Sequence, residues 1–146
     1  MLSKTSEDYI SNRAWLRDVI SGEDVILRQV SALEYLQLFV GYTHEKEIDV
    51  YARKIGIYDN INYCIVDNFD GIDFIRHGNV LCASVNQTIN DMLADFENTD
   101  EQALVEALSK YYYSHGKNFD GLIIKAGNLE KFEHIKGFSI EYYCEG

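Results

Sequence analysis

The feature that most constrains this chain is a change of hydrophobic period part-way along it. Between Glu47 and Ala83 the apolar residues come in short β-branched or aromatic runs: Ile48-Asp-Val50-Tyr, Ile61-Asn-Tyr63-Cys-Ile65-Val, Ile72-Asp-Phe74-Ile and Val80-Leu-Cys82. That is strand patterning. On either side, apolar positions recur every three or four residues, as along one face of a helix. Turn formers part the runs, at Asp59-Asn60, Asn68 to Gly71 and His77-Gly78-Asn79. Connections this short leave little room for crossover helices, which predicts a small, mostly antiparallel sheet of about three to five strands. One or two helices before that sheet and a helical group after it make the expected class α+β.

Start and stop signals place the helices. Tyr9, Ile10, Leu16, Val19 and Ile20 predict one from Ser6 to about Ile20, with Gly22 as its stop. Ser31-Ala-Leu-Glu34 reads as a capping box, with Val30 and Tyr35 at the staple positions and Gly41 as terminator. A helix over Ala32 to Val40 follows from it. Ser84-Val-Asn-Gln87 opens a helix that carries Val85, Ile89, Met92, Leu93 and Phe96 on one face. Thr99-Asp-Glu-Gln102 opens another, bearing Leu104, Ala107, Leu108, Tyr111 and Tyr112 and ending at Gly116. Two more are expected, Asn118 to Ala126 and Leu129 to about Tyr143, with Gly137 the weak point of the second.

A length of 146 residues suits one domain. A chain of this size buries roughly 70% of the surface it exposes when unfolded, so its core needs no staples. Without proline or internal repeats, no linker is marked. Cys64, Cys82 and Cys144 are odd in number, widely spaced and set among apolar neighbours. Reduced core thiols in the cytosol are the expectation. The start of the chain has no apolar signal core and no run approaches ~18 apolar residues, so export and membrane spanning are not expected. Cytoplasmic location follows.

The net charge of −11, from 24 acidic and 13 basic residues, opposes phosphate neutralisation and with it nucleic-acid binding. All five arginines lie at or before Arg76. The acidic balance suits a basic partner, or serves solubility alone.

Candidate chemistry is sparse. His44, His77, His115 and His134 show no i, i+4 pair and no Cys-x-x-Cys exists, so no metal site is expected. Asp67-Asn-Phe-Asp70-Gly-Ile-Asp73 has a period of three, not the alternating oxygen ligands of a calcium loop, and reads as a turn. Glu47 and Asp49 stand two apart behind Gly41, a spacing that sends both carboxylates to one sheet face. A nucleotidyltransferase holds Mg²⁺ with such a pair. The phosphate-cradling Gly-Ser or Gly-Gly is absent, as is a clear third carboxylate in a downstream strand. Ser31 and Ser84 serve better as helix caps than as nucleophiles, and no Gly-x-Ser-x-Gly, Gly-x-Gly-x-x-Gly or P-loop is found. Tyr111-Tyr112-Tyr113 and Tyr142-Tyr143 lack the interleaved cations of a single-strand binder and fit a protein interface. The expectation is a chain without catalysis and without a cofactor.

The helical third resembles a known family. Asn86-Gln87-Thr88-Ile89-Asn90-Asp91-Met92-Leu93 is similar to the "E-R-T-hydrophobic-x-D-hydrophobic-hydrophobic" helix of the AbiEi-type antitoxins of type IV toxin–antitoxin systems. Glu106-Ala107-Leu108-Ser-Lys-Tyr111 looks like that family's "E-A-L-x-x-Y" helix, after a similar spacer, Asn98-Thr-Asp-Glu-Gln. Asp120-Gly-Leu122-Ile-Ile-Lys-Ala126 and Val30-Ser31-Ala32-Leu33 resemble two further segments, so the likeness runs in order from about Val25 to Tyr143. Gln87 stands where the family has Arg. The residues before Val25 are too few for its winged helix-turn-helix domain.

The resemblance implies residues 1–24 as a helical extension and 25–146 as an antitoxin-like effector domain. It implies a non-catalytic role, by protein binding, against or alongside a nucleotidyltransferase-like toxin, without direct nucleic-acid contact. Polarity and helical phase point to a partner surface at Asp91, Asp95, Lys110, Tyr113 and Lys117. Two alternatives are a small Mg²⁺-dependent nucleotidyltransferase-like enzyme using Glu47 and Asp49, and a structural domain that forms a homodimer through its tyrosine-bearing helices.

Overall fold

The computed structural model describes residues 24–39, 47–56, 58 and 60–145, with the backbone alone for 143–145. In chain order lie β1 (Val25–Leu27), α1 (Gln29–Tyr35), β2 (Ile48–Ala52), β3 (Ile61–Ile65), β4 (Phe74–His77), β5 (Val80–Ala83), α2 (Val85–Ala94), α3 (Glu101–Ser114) and α4 (Leu129–Glu145). The fold is α+β, with one five-stranded sheet in the order β3-β2-β1-β5-β4. The helix expected from Ser6 to Ile20, Gly41 and His44 lie outside the described residues.

The sheet is mixed. β1–β2 and β4–β5 pair antiparallel, whereas β2–β3 and β1–β5 pair parallel. The short link from β2 to β3 suggested a hairpin, yet no helix is needed to reverse it. Residues 53–60 can extend to about 28 Å, enough to travel the ~16 Å back along a five-residue strand. β1 was not among the expected strands. It has three residues, all buried, and lies at the centre of the sheet.

α1 departs from its predicted limits. It runs Gln29–Tyr35, its N-cap is Arg28 without a side-chain bond, and Gln37 ends it in the left-handed region at φ 65°. Ser31 lies inside the helix, where its Oγ accepts from the Asp49 backbone N–H at 2.8 Å. The capping box is therefore not formed, because an inward-facing strand amide claims the hydroxyl. Ser31 through Tyr35 are all buried, since α1 sits between two cores. Ala32 and Tyr35 join a core with Ile26, Leu27, Ile48, Val50, Val80 and Cys82 of the sheet. Leu33 joins a second, with Ile89, Met92, Leu93, Leu104, Leu108, Phe132 and Ile135 of the later helices.

Those helices mostly obey their signals. Ser84 caps α2, its hydroxyl accepting from the Gln87 N–H at 3.1 Å. For α3 the cap is Asp100, one residue after Thr99, and it accepts from the Ala103 N–H at 3.0 Å. Thr99 instead donates to the carbonyls of Met92 and Asp95, tying off the previous helix. Gly116 follows α3 at φ 74°, and α4 passes Gly137 unbroken. The helix expected over Asn118 to Ala126 does not form. The chain turns at Asp120–Gly121, where the Leu122 N–H donates to the Phe119 carbonyl at 3.0 Å, and runs without helix from there to a 3₁₀ turn at Ala126–Asn128. Its backbone is bonded by side chains of α2 and so is withdrawn from helix formation.

Candidate functional site

A group of polar side chains gathers on one sheet face beside α2. Alternation along β2 puts Asp49 and Tyr51 on the face opposite Ile48 and Val50, and the register sets Asn62 and Cys64 of β3 beside them. The Asn62 amide donates to Glu47 Oε1 at 3.0 Å and to Asp49 Oδ1 at 3.1 Å. The expected convergence of Glu47 and Asp49 therefore occurs. The neighbour that spans them is an amide, not a third carboxylate. Burial pushes the Asp49 carboxyl above its usual range, with Glu47 acting in the same direction; Asn62 and Arg28 oppose but do not cancel this.

The other half of the group is a chain of contacts from β1 to α2. The Arg28 guanidinium lies 4.7 Å above the centre of the Tyr51 ring. Tyr51 donates its hydroxyl to Asp91 Oδ2, and Gln87 Nε2 donates to Asp91 Oδ1 at 2.9 Å. Burial, then the bond to Asp91, pushes the Tyr51 phenol up to about 12. Burial works to lower Arg28, and its contact with Tyr51 and the nearby Asp91 charge outweigh that, leaving it above its ordinary value. Arg28 Nε is buried with no hydrogen-bond partner. Gln87 Oε1 also accepts from the Asp73 N–H at 2.9 Å, and Ser84 donates to the Asp73 carboxylate at 2.6 Å. Asp73 is thus docked on the start of α2, while Asn68 accepts from the Asp70 N–H in the turn expected there.

Next to this group on α2 stands an amide ladder. Asn86 donates to the Gly121 carbonyl and accepts from the Ile123 N–H, at 3.2 and 2.8 Å. Asn90 donates to the Ile123 carbonyl and accepts from the Lys125 N–H, both at 2.8 Å. One helical turn and two extended residues have similar lengths, so consecutive amides meet consecutive peptide groups as strand partners would. Asn128 completes it, donating to the carbonyl and Oδ1 of Asn90.

The five residues of the expected partner surface are spread over different contacts. Asp91 faces Tyr51 of the sheet, and Tyr113 donates to the Ile140 carbonyl of α4 at 2.5 Å. Asp95 and Lys117 are exposed, and Lys110 is half-buried. Other tyrosines also bond within the chain: Tyr111 to the Asp120 carbonyl at 2.5 Å and Tyr142 to Glu106 at 3.1 Å. Among the histidines, His77 Nδ1 meets the Tyr35 hydroxyl at 2.6 Å and His115 stacks on Tyr111 at 3.9 Å. Among the described residues, no three His, Cys, Asp or Glu side chains are grouped to hold a metal ion. Cys82 is buried, Cys64 half-buried, and both are free thiols.

Sequence reading passed over Arg28, Tyr51 and Asn62 as site residues, and over the two ladder amides. Tyr51 had a signal, standing two residues past Asp49 in the same alternation. Asn86 and Asn90 had another: two residues that disfavour helix interiors, one turn apart on a strong helix. The sequence matches no family model and no curated protein. No helix among the described residues is long and apolar enough to cross a membrane.

Proposed function

We propose that this chain is a non-catalytic, antitoxin-like regulatory domain of the AbiEi kind, working in the cytosol by binding protein, against or alongside a nucleotidyltransferase-like toxin. The observation that carries this reading is the use made of the polar side chains beside α2. Glu47 and Asp49 share one amide, and Asp91 takes the hydroxyl of Tyr51. Groups bonded to each other in this way hold a scaffold in register, and a catalytic set would converge on a substrate space instead. A surface for a partner is available at the sheet edge. Among the described residues β3 ends the sheet, Ile65 on it is 49% exposed, and Ile55 and Tyr58 just before it are 74% and 42% exposed.

A second reading, a small Mg²⁺-dependent nucleotidyltransferase-like enzyme, is favoured only by the pairing of Glu47 with Asp49 on one face. Two experiments separate these readings. Coexpression of the chain with a nucleotidyltransferase-like toxin should restore growth that the toxin alone arrests, and Asp49→Ala should protect as well as the parent. A thermal shift with Mg²⁺ and nucleoside triphosphate that Asp49→Ala abolishes would sink the regulatory reading in favour of the enzyme.

A further inference from the structure

The carboxyl end of β2 carries a feature that the regulatory reading leaves unused. Asp24, Val25, Arg53, Lys54, Gly56 and Tyr63 line a pocket of about 360 Å³ there. Arg53 and Lys54 follow directly on Ala52, the last residue of β2, and Asp24 and Val25 meet them because β1 starts where β2 ends. β3 runs parallel to β2 and supplies Tyr63. We propose that this pocket binds a small organic anion, with its oxyanion head on Lys54 and the Tyr63 hydroxyl and a hydrogen-bond donor of its body on Asp24.

Three observations converge on that chemistry. The Tyr63 hydroxyl is buried without a hydrogen-bond partner. Such a group is destabilising by about 1–3 kcal/mol until an acceptor reaches it. Gly56 lies against the same ring, so closely that a Cβ there would fall 2.8 Å from Tyr63 Cζ. A glycine at this point keeps the phenol where it is and the pocket open. The cations form the second observation. Arg53 is held by an ion pair with Asp24 and lies 5.6 Å over the Phe69 ring, which fixes its guanidinium. Lys54 has no carboxylate partner among the described residues, in a chain with 24 acidic and 13 basic side chains. Two cations and one carboxylate leave the lining at a net +1, which favours an anionic head.

Size is the third observation. The volume falls at the lower end of small-molecule sites, roughly 300–1,000 Å³, and is more than a bare inorganic ion fills. The head is a carboxylate or a phosphate ester, since both present the oxygens that Lys54 and Tyr63 would bond. This inference does not rest on the regulatory role and can fail or hold without it.

Calorimetric titration of the full chain tests it, with adenosine 5′-monophosphate for the phosphate arm and 4-aminobenzoate for the carboxylate arm, each carrying an amino donor for Asp24. Adenosine and 4-aminobenzamide serve as uncharged counterparts. Saturable binding tighter than about 1 mM is expected from one arm and not from its counterpart. Lys54→Ala and Tyr63→Phe should each weaken it about tenfold. Tyr63→Phe should fold at least as stably as the parent, because it deletes only the unpartnered hydroxyl. The arm that binds identifies the head. No binding by either anion, equal binding of the neutral counterparts, or affinities unmoved by both substitutions would overturn the proposal.

Discussion

α2 presents two pairs of polar residues one turn apart on adjoining tracks, and they are built from opposite chemistry. Asn86 and Asn90 bond the segment around Ile123 with neutral amides, whereas Asp91, held by Gln87, reaches Tyr51 of the sheet through a charge. Asn90 is 4% exposed, and all of its amide capacity is used: both donors by the carbonyls of Asn86 and Ile123, the oxygen by Lys125 and Asn128. Nothing in that pair titrates. The other pair belongs to a group with a lifted carboxyl, a lifted phenol and a guanidinium nitrogen without a partner. A fully satisfied neutral network rigidifies, and a partly satisfied charged one leaves free energy that pH can draw on. The ladder is therefore scaffold, and of the two pairs only the one facing the sheet joins groups that respond to pH.

The largest effect should come from Asn90→Ala. It leaves several buried backbone groups without partners, and urea denaturation should show a loss of about 3 kcal/mol or more at unchanged slope. A loss below about 1 kcal/mol would remove the ladder from the scaffold. Tyr51→Phe comes next, at about 1–2 kcal/mol, since Asp91 and Arg28 both lose a contact. Its pH signature is distinctive. Tyr51 titrates at about 12 in the fold against an ordinary 10.0, so the fold holds the proton longer than the unfolded chain does. Its contribution is therefore present below pH 10.0 and lost as pH rises to about 12. Absorbance titration should show one phenol ionising near 12 that the variant lacks.

Asn86→Ala tests the outer rung of the ladder. It should lose only about 1 kcal/mol, because water can replace bonds at this more exposed position. Faster hydrogen exchange at the Ile123 amide, without a global change, is the expected mark. The smallest effect is a gain. Asp49 has a raised carboxyl, so its share of stability is full below the ordinary carboxylate range and is lost as pH rises through the folded value. Asp49→Asn should thus be slightly more stable than the parent at neutral pH and equal to it in acid. A melting temperature that falls at neutral pH would mean that the Arg28 attraction outweighs burial.

Much of the helical third was legible because its signals are local. Ser84 caps as its spacing predicts, and Gly116 closes α3. Of the Ser84 box only the serine half forms, since the Gln87 side chain bonds Asp73 and Asp91 instead. The Ser31 box shares its S-x-x-E/Q pattern and fails altogether, since Ser31 is buried against β2. A cap is a local preference of about 1 kcal/mol, and an inward-facing strand amide in need of an acceptor outweighs it. The convergence of Glu47 and Asp49 was also legible, because alternation is a property of one strand. Their partner Asn62 was not, since it depends on a parallel register.

What the sequence alone determined is the α+β class, the approximate positions of β2 to β5, the cap of α2, the stop of α3 and the start of α4, and the shared face of the two carboxylates. All of these follow from period, turn residues and caps within a dozen or so neighbours. Tertiary structure decided the central strand, the parallel pairings, the true limits of α1 and the non-helical course of Leu122 to Lys125. β1 is three residues long and becomes a strand only through β2 and β5, which pair on either side of it. The same holds for the segment from Leu122 to Lys125: its peptide groups would have suited a helix, and two amides from α2 reached them first.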